Sequence, residues 1–424
     1  MTERLLQYIW QFGHFSQTSL FTQEGETVQI ISRGQINTNE GPDFLDARIR
    51  IGETVLAGSV ELHIKTSDWH RHQHEGDKNY KNVILHVVHT HDTELNNGIP
   101  TLELQPHIAN VLIDRYGGLM QNTGFVACES EIASVKELTW LAWKERLAAE
   151  RLTEKAKAIL DNLEANKNNW EESFWWLLAR SFGAKVNASA FEAVARSIPV
   201  LIIAKHKNSI HQLEALLLGQ ANLLNGEFTD DYPQMLQREY KYLQHLHKLT
   251  PIKEGVYFLR MRPSNFPSLR LAQLAMLLHK ASHLFSKILE AEELEEVQDL
   301  FKSMPNDFWY YHYRLEEASE YKPKPIGATM LDLILINTVI PTLFAYGLFH
   351  KKEPLKEKAL RWLQEIKAES NTIVKGYDSL SIKATSAFDS QALLHLKKSY
   401  CTQKRCLDCA IGNTILKKQN TPTL

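Results

Sequence analysis

The hydrophobic pattern of this chain changes its period near residue 135. From Val28 to Leu104, short alternating segments are separated by Gly, Asn and Asp, which is typical of strands joined by turns. After Val135, apolar residues recur at helical spacing to the end of the chain. A short amphipathic helix over Glu3–Phe12 precedes the strands. The pattern predicts an α+β protein, with a mixed α/β domain over residues 1–133 and a large all-α domain over residues 134–424.

The strand pattern falls on five segments: Val28–Ser32, Asp46–Ile51, Thr54–Lys65, Asn82–His89 and Pro100–Leu104. Side chains on a strand alternate between its two faces. In the third segment this alternation puts Glu61 and His63 on one face and their apolar neighbours on the other. We therefore expect Glu61 and His63 to point the same way.

Composition excludes several classes of protein. The chain has 424 residues, 44% of them hydrophobic and 23% charged, which is typical of globular domains rather than disordered chains. The formal net charge of -2 does not fit a strongly basic nucleic-acid-binding domain, so any contact with nucleic acid would use a local patch. Residues Met1–Leu6 lack the cationic and apolar pattern of a secretory signal, and we expect a cytoplasmic protein.

One apolar stretch, Leu331–Gly347, approaches the composition of a membrane span. Asp332, Asn337, Thr338 and Pro341 interrupt it, and a span needs roughly 20 predominantly apolar residues. The stretch therefore predicts a buried core helix, and no membrane contact is expected.

Acidic residues and histidines are concentrated in the strand region. Seven of the 18 histidines lie between His63 and His91. They follow a Gly41-Pro42-Asp43 turn and surround the strand that carries Glu61. Paired carboxylates can hold a divalent cation that activates water. This segment is where we expect chemistry, although Asp43 capping its own turn and Glu61 pairing across the sheet would explain the same residues structurally.

The order of helix, strands, Pro42-Asp43, hairpin and Glu61-Leu62-His63 strand resembles the PD-(D/E)XK nuclease superfamily, whose core is an αβββαβ unit. The resemblance implies a nuclease-like central sheet, with Asp43 and Glu61 holding Mg²⁺ or Mn²⁺ and nucleic acid as substrate. His63 stands where the superfamily has a lysine, so it would act as a cation or as a base. His86 lies on the next strand and joins the candidate catalytic residues.

A transition-metal site is the second interpretation of the same segment. His70, His72 and His74 recur at every second residue, so an extended strand would place all three on one face. Two histidines and a carboxylate are enough to bind Zn²⁺ or Fe²⁺. Gly76 and Asp77 nearby indicate a loop instead.

Three of the four cysteines lie within nine residues near the C-terminus, at Cys401, Cys406 and Cys409. This spacing lets three thiolates reach one Zn²⁺, with His395 or Cys128 as the fourth ligand. Some nucleases of the superfamily named above carry an iron–sulfur cluster on one distant and three C-terminal cysteines, which implies a cluster as the alternative, although their spacing differs. Buried free cysteines are the structural alternative.

Most of the chain also resembles an uncharacterised bacterial family with a domain of unknown function. The resemblance rests on Asn39–Phe44, Gly58–His63, Ser67–His70, Tyr80–Val88, Arg260–Pro267 and the cysteines near the C-terminus. It implies no activity. The sequence leaves three hypotheses: a divergent metal-dependent nuclease, a non-enzymatic binding or scaffold protein with a zinc-bound C-terminal segment, and a histidine-ligated hydrolase or oxygenase.

Overall fold

The computed structural model describes residues 1–74, 76–281 and 283–417. The chain forms two compact units, one of Met1–Trp143 with Leu396–Leu424 and one of Lys144–His395. Residues 418–424 of the first unit lie outside the described ranges. The division made from sequence, at 133/134, assigned the whole C-terminal part to the helical domain. By contrast, the compact units group the last segment with the N-terminal residues.

A six-stranded mixed sheet forms the centre of the first unit. Its strands are β1 (Val28–Ser32), β2 (Gln35–Ile36), β3 (Phe44–Ile51), β4 (Thr54–Lys65), β5 (Val83–Thr90) and β6 (Thr101–Glu103). The order is β1-β3-β4-β5-β6, with β2 also paired to β3. β1 and β4 run antiparallel to β3, whereas β5 runs parallel to β4, and β6 parallel to β5. The five predicted strands are confirmed to within two residues at each end, and β2 was not predicted.

Helices α1 (Glu3–Phe12), α2 (Asp68–Arg71) and α3 (Asn110–Gln121) belong to the same unit. In α1 the Thr2 hydroxyl accepts a hydrogen bond from the Leu5 N–H at 3.2 Å, and the helix ends at Gly13 in the left-handed region. Its buried side chains include Leu5, Leu6, Ile9 and Trp10. This apolar face packs against β4, which carries the candidate site residues.

The second unit is helical. Helix α4 (Glu137–Ala165) begins in the first unit and continues into the second. The others are α5 (Trp170–Phe182), α6 (Ala188–Ser197), α7 (Val200–His206), α8 (Ile210–Gln220), α9 (Asp231–His247), α10 (Pro267–Lys280), α11 (Leu284–Glu290), α12 (Leu294–Leu300), α13 (Phe308–Tyr311), α14 (Ala328–Ile334), α15 (Ile340–Phe349), α16 (Glu353–Glu365), α17 (Thr372–Ser379) and α18 (Ala387–His395). α8 and α10 are mostly buried, and they pack against each other. The chain is α+β, as predicted.

The apolar stretch predicted to be a core helix forms α14, a π-helical turn over Leu335–Val339, and α15. By length and composition alone, Ala328–Phe349 is long and apolar enough to cross a membrane. Its most apolar window is 67% buried inside the protein. This burial is typical of a core helix. A core helix can have the same length and apolar composition as a membrane span.

The last described residues form a π-helical turn over Leu396–Cys401 and helix α19 (Ala410–Leu416). α19 packs against α3 and against the 3₁₀ turn Ile132–Ser134. These contacts explain why the C-terminal segment groups with the N-terminal unit.

Candidate metal centre

Strand β4 provides Glu61 and His63, and β5 provides His86. β4 lies between β3 and β5, so its side chains from Gly58 to His63 are buried on both faces. In the parallel register Glu61 pairs with His86, which brings the three side chains together on one face. Glu61 is 5%, His63 1% and His86 0% exposed, so these polar groups lie within the core.

Asp43 reaches this face because β3 contains a bulge. Asp46 has a φ of 58°, and the register with β4 shifts between Phe44 and Ala47. The Asp43 N–H donates to Glu61 Oε2 at 3.0 Å, and the Leu62 N–H donates to Asp43 Oδ2 at 3.1 Å. Gln7 Nε2 donates to Asp43 Oδ1 at 2.8 Å. Both Asp43 oxygens therefore accept protein hydrogen bonds, and Glu61 Oε1 is the carboxylate oxygen directed at the histidines.

His72 and His74 lie on a compact turn that follows β4. Asp68 accepts a hydrogen bond from the Lys65 N–H at 3.0 Å, and Asp92 accepts bonds from the Ser67 N–H and hydroxyl at 2.9 and 2.7 Å. The chain makes the single turn of α2 and then folds back. The extended arrangement of His70, His72 and His74 is not found, and the loop indicated by Gly76 and Asp77 describes the segment better.

Three imidazoles converge here, and a Glu61 oxygen lies close to two of them. The ligand nitrogens of His63, His72 and His74 all lie within 4.8 Å of one another. His63 Nε2 lies 3.0 Å from His72 Nδ1 and 3.5 Å from Glu61 Oε1, and His74 Nε2 lies 3.4 Å from the same oxygen. Ligands about 2.0–2.1 Å from a tetrahedral Zn²⁺ lie about 3.3–3.4 Å apart. The three separations of 3.0, 3.5 and 3.4 Å are close to the edges of such a site. We call Glu61, His63, His72 and His74 the His/Glu cluster.

His86 contacts the cluster through His63. Its Nε2 lies 2.9 Å from His63 Nδ1, so a proton shared there leaves the lone pair of His63 Nε2 directed at the cluster. Burial, and then the neighbouring imidazoles of His86, His72 and His74, lower the pKa of His63 to about 2. Burial likewise lowers the pKa of His86 to about 3. Both rings are therefore neutral at physiological pH, as metal ligation requires.

The pKa values of the two carboxyl groups, on Asp43 and Glu61, are shifted in the opposite direction. Burial raises the pKa of both Asp43 and Glu61, and the charge of Asp43 raises that of Glu61 further. Two adjacent buried carboxylates are costly unless a proton or a cation compensates their charge. A divalent cation beside Glu61 Oε1 fits this need, because the unprotonated nitrogen of a neutral imidazole can bind the same cation.

Aromatic rings hold the histidines in place. Trp69 is 2% exposed, and its ring centroid lies 5.3 Å from that of His74 and 5.1 Å from that of His86. Tyr80 stacks on His74 with centroids 3.9 Å apart. Within the described ranges, the buried His74 Nε2 has no hydrogen-bond partner, although Glu61 Oε1 is 3.4 Å away. An unsatisfied buried nitrogen at this point fits a metal ligand.

The cysteines lie elsewhere. Cys128, Cys401, Cys406 and Cys409 all belong to the first unit. His395, the other candidate fourth ligand, belongs to the second unit, where its Nε2 lies 3.3 Å from Glu150 and its Nδ1 3.5 Å from Glu154.

The structure brings the predicted Asp43, Glu61, His63 and His86 together. Sequence reasoning treated the carboxylates and the His72/His74 pair as two alternative sites, whereas the structure places them in one cluster. The available signal was the closeness of the histidine-rich turn to the end of the Glu61 strand. Gln7 was missed because its contact with Asp43 spans 36 residues.

Comparison with known proteins identifies the family without assigning an activity. No curated protein and no solved structure shows a significant match. The sequence profile described as "Protein of unknown function (DUF2851)" matches residues 3–372, which is most of the chain. The chain therefore belongs to the DUF2851 family.

Proposed function

We propose that this protein is a metal-dependent phosphodiesterase acting on nucleic acid, with its metal held by the His/Glu cluster. The observation that carries the proposal is the convergence of three imidazoles whose ligand nitrogens lie within 4.8 Å of one another, with Glu61 Oε1 3.5 and 3.4 Å from two of them. The reaction would consume water and a phosphodiester and yield a phosphomonoester and an alcohol.

The donor set favours Zn²⁺ among the divalent metals. Imidazole nitrogen suits Zn²⁺ and Fe²⁺, whereas Mg²⁺ prefers oxygen ligands in an octahedral arrangement. Mg²⁺ or Mn²⁺ between Asp43 and Glu61 remains the prediction from the nuclease resemblance. The hydrogen bonds that both Asp43 oxygens accept from Gln7 and Leu62 favour the His/Glu cluster over that position.

Each residue has a distinct role in this proposal. Glu61 and His63 supply buried ligands, and His86 orients the His63 ring. Asp43 fixes Glu61 through its N–H. His72 is exposed, so water and substrate reach the cluster from its side. A bound Zn²⁺ lowers the pKa of a water molecule and stabilises negative charge on the phosphoryl oxygens.

The surroundings suit a phosphate-bearing substrate. Lys65, Arg71, Lys78 and Lys81 are exposed around the segment that forms the cluster. Arg71 lies close enough to His63 to lower its pKa, and its side chain is 69% exposed while paired to Asp68 at 2.9 Å. An exposed guanidinium beside a metal centre is suited to bind a phosphate oxygen. Such a local basic patch is compatible with the formal net charge of -2 for the whole chain.

The test combines metal binding with hydrolysis. We expect the full-length chain to bind one Zn²⁺ at the cluster and to cleave an activated phosphodiester and single-stranded DNA or RNA. His63→Ala/His74→Ala should lose both, whereas His70→Ala, on the same turn but outside the group, should retain both. Tight Zn²⁺ binding without cleavage of any of these substrates would replace the enzyme with a non-enzymatic binding protein. Cleavage that survives the double substitution would reject the site.

A further inference from the structure

We propose that Cys128, Cys401, Cys406 and Cys409 bind an iron–sulfur cluster, which joins the C-terminal segment to the loop after α3 within the first unit. This centre is separate from the His/Glu cluster. It concerns the C-terminal segment, and it holds whether or not the protein hydrolyses phosphodiesters.

Local contacts bring the cysteine-bearing segments together. Lys397 Nζ donates to the Phe125 carbonyl and Lys404 Nζ donates to the Met120 carbonyl. Two lysines on the C-terminal side therefore bind the backbone just before Cys128. α19 also packs against the 3₁₀ turn that follows Cys128.

The four thiols form one group. Each of their six pairs is close enough for one thiol to raise the pKa of another. Cys128, Cys406 and Cys409 are buried, and Cys401 is half-buried. Four buried or half-buried thiols, gathered from segments more than 270 residues apart in sequence, are more than core packing requires.

The backbone around Cys409 is shaped to hold its sulfur. The N–H groups of Gly412 and Ile411 donate to the Cys409 sulfur. Gly412 lies so close to the preceding turn that a Cβ at this position would be 2.2 Å from the Cys406 carbonyl oxygen. Glycine at 412 therefore allows α19 to pack directly on the turn that carries Cys406 and Cys409.

The spacing of the sulfurs favours a cluster over a single zinc ion. With Zn–S distances of about 2.3 Å, four thiolates around one Zn²⁺ lie about 3.8 Å apart. Among the described residues, His63, His72 and His74 are the group whose donor atoms all lie within 4.8 Å, so no three of these sulfurs are that close. A [4Fe–4S] cluster binds each of four thiolates to a different iron, so it holds them farther apart.

The first experiment uses the full-length chain purified without oxygen from iron-supplied cells. Iron, acid-labile sulfide and zinc are measured on the folded fraction, together with the visible absorption spectrum. The His63→Ala/His74→Ala variant provides a background from which metal at the His/Glu cluster is removed. We expect iron and sulfide in near-equal amounts with cluster absorption, reduced at least fivefold in Cys128→Ser and unchanged in His395→Gln.

A second measurement does not depend on variants that fold. Alkylation of the native chain, followed by mass spectrometry, reports which thiols react before and after iron is removed with a chelator. We expect all four cysteines to be protected and then released together. Stoichiometric zinc on the thiolates would overturn the cluster. Four thiols that react equally before and after chelation, or iron retained in Cys128→Ser, would overturn the four-thiolate centre.

Discussion

Two buried glutamates of this protein lie in contrasting surroundings. Glu61, in the first unit, is 5% exposed and has imidazole nitrogens and a second carboxyl group as neighbours. Glu214, in the second unit, is 0% exposed and accepts hydrogen bonds from the Tyr232 hydroxyl at 2.8 Å and from Trp309 Nε1 at 2.9 Å. Burial raises the pKa of both carboxyl groups.

The neighbours decide how each buried charge is compensated. Donors such as Tyr232 and Trp309 stabilise Glu214 without a cation, and a proton completes its neutralisation. Glu61 Oε1 instead faces the Nε2 atoms of His63 and His74, which can bind a metal ion when they carry no proton. A divalent cation would bind this oxygen and these nitrogens together. The comparison supports the proposed metal site at Glu61 and contrasts it with the hydrogen bonds that Glu214 accepts.

The largest expected effect comes from Glu61→Gln. The glutamine oxygen can still accept from the Asp43 N–H, and its NH₂ group can donate to His63 and His74, so the fold should persist without metal. We expect the Kd for Zn²⁺ to rise more than about 100-fold, since loss of an orienting partner alone weakens binding by about 10–100-fold. Calorimetric titration measures this change. Glu214→Gln is the matched control and should leave Zn²⁺ affinity unchanged.

The pH dependence of the free energy of unfolding tests the interpretation of Glu214. The pKa of Glu214 is about 7 in the folded protein, against an ordinary value of 4.5. The folded state therefore holds this proton more tightly than the unfolded chain. Its stabilisation is complete below pH 4.5 and is lost as pH rises through about 7. We expect this group to lower the free energy of unfolding by about 3 kcal/mol across that window.

Glu214→Gln should remove that part of the pH dependence, measured by urea unfolding between pH 4.5 and 8. The exposed Glu227→Gln controls for the loss of one negative charge. Identical pH curves for the wild type and Glu214→Gln would show that the buried carboxyl group does not hold its proton.

A smaller effect is expected from His86. His86→Phe keeps a buried ring but removes the partner of His63 Nδ1, so the His63 ring loses its fixed orientation. We expect Zn²⁺ affinity to fall by about 10–100-fold, as for other orienting partners of metal ligands. His89→Phe, on the same strand but outside the cluster, is the control. Equal affinities for the two variants would remove His86 from the site.

The smallest effect concerns substrate binding. Arg71→Gln removes an exposed charge near the cluster and leaves its ligands in place. We expect KM for a phosphodiester to rise about tenfold, since a hydrogen bond to a charged group contributes about 1.5 kcal/mol, with kcat and Zn²⁺ affinity unchanged. Steady-state kinetics at two salt concentrations measures this. A fall in kcat instead would assign Arg71 to the chemical step.

Period-two alternation in the sequence was enough to predict the strands and the shared face of Glu61 and His63, because strand geometry is local. It also predicted His86 on the neighbouring strand. The proximity of His72 and His74 to Glu61 was not predictable from the sequence. It depends on the α2 turn and on Asp92, which accepts a hydrogen bond from Ser67 across 25 residues. The packing of α19 on α3 was not predictable either, because contacts between distant segments produce no periodic pattern in the sequence.

Anomalous scattering from crystals of the full-length protein grown with Zn²⁺, recorded above and below the zinc edge, tests the central claim most directly. We predict a zinc peak about 2.0–2.2 Å from Glu61 Oε1, His63 Nε2 and His74 Nε2. A map without zinc there, or with the metal bound to Asp43 instead of the imidazoles, would contradict the account.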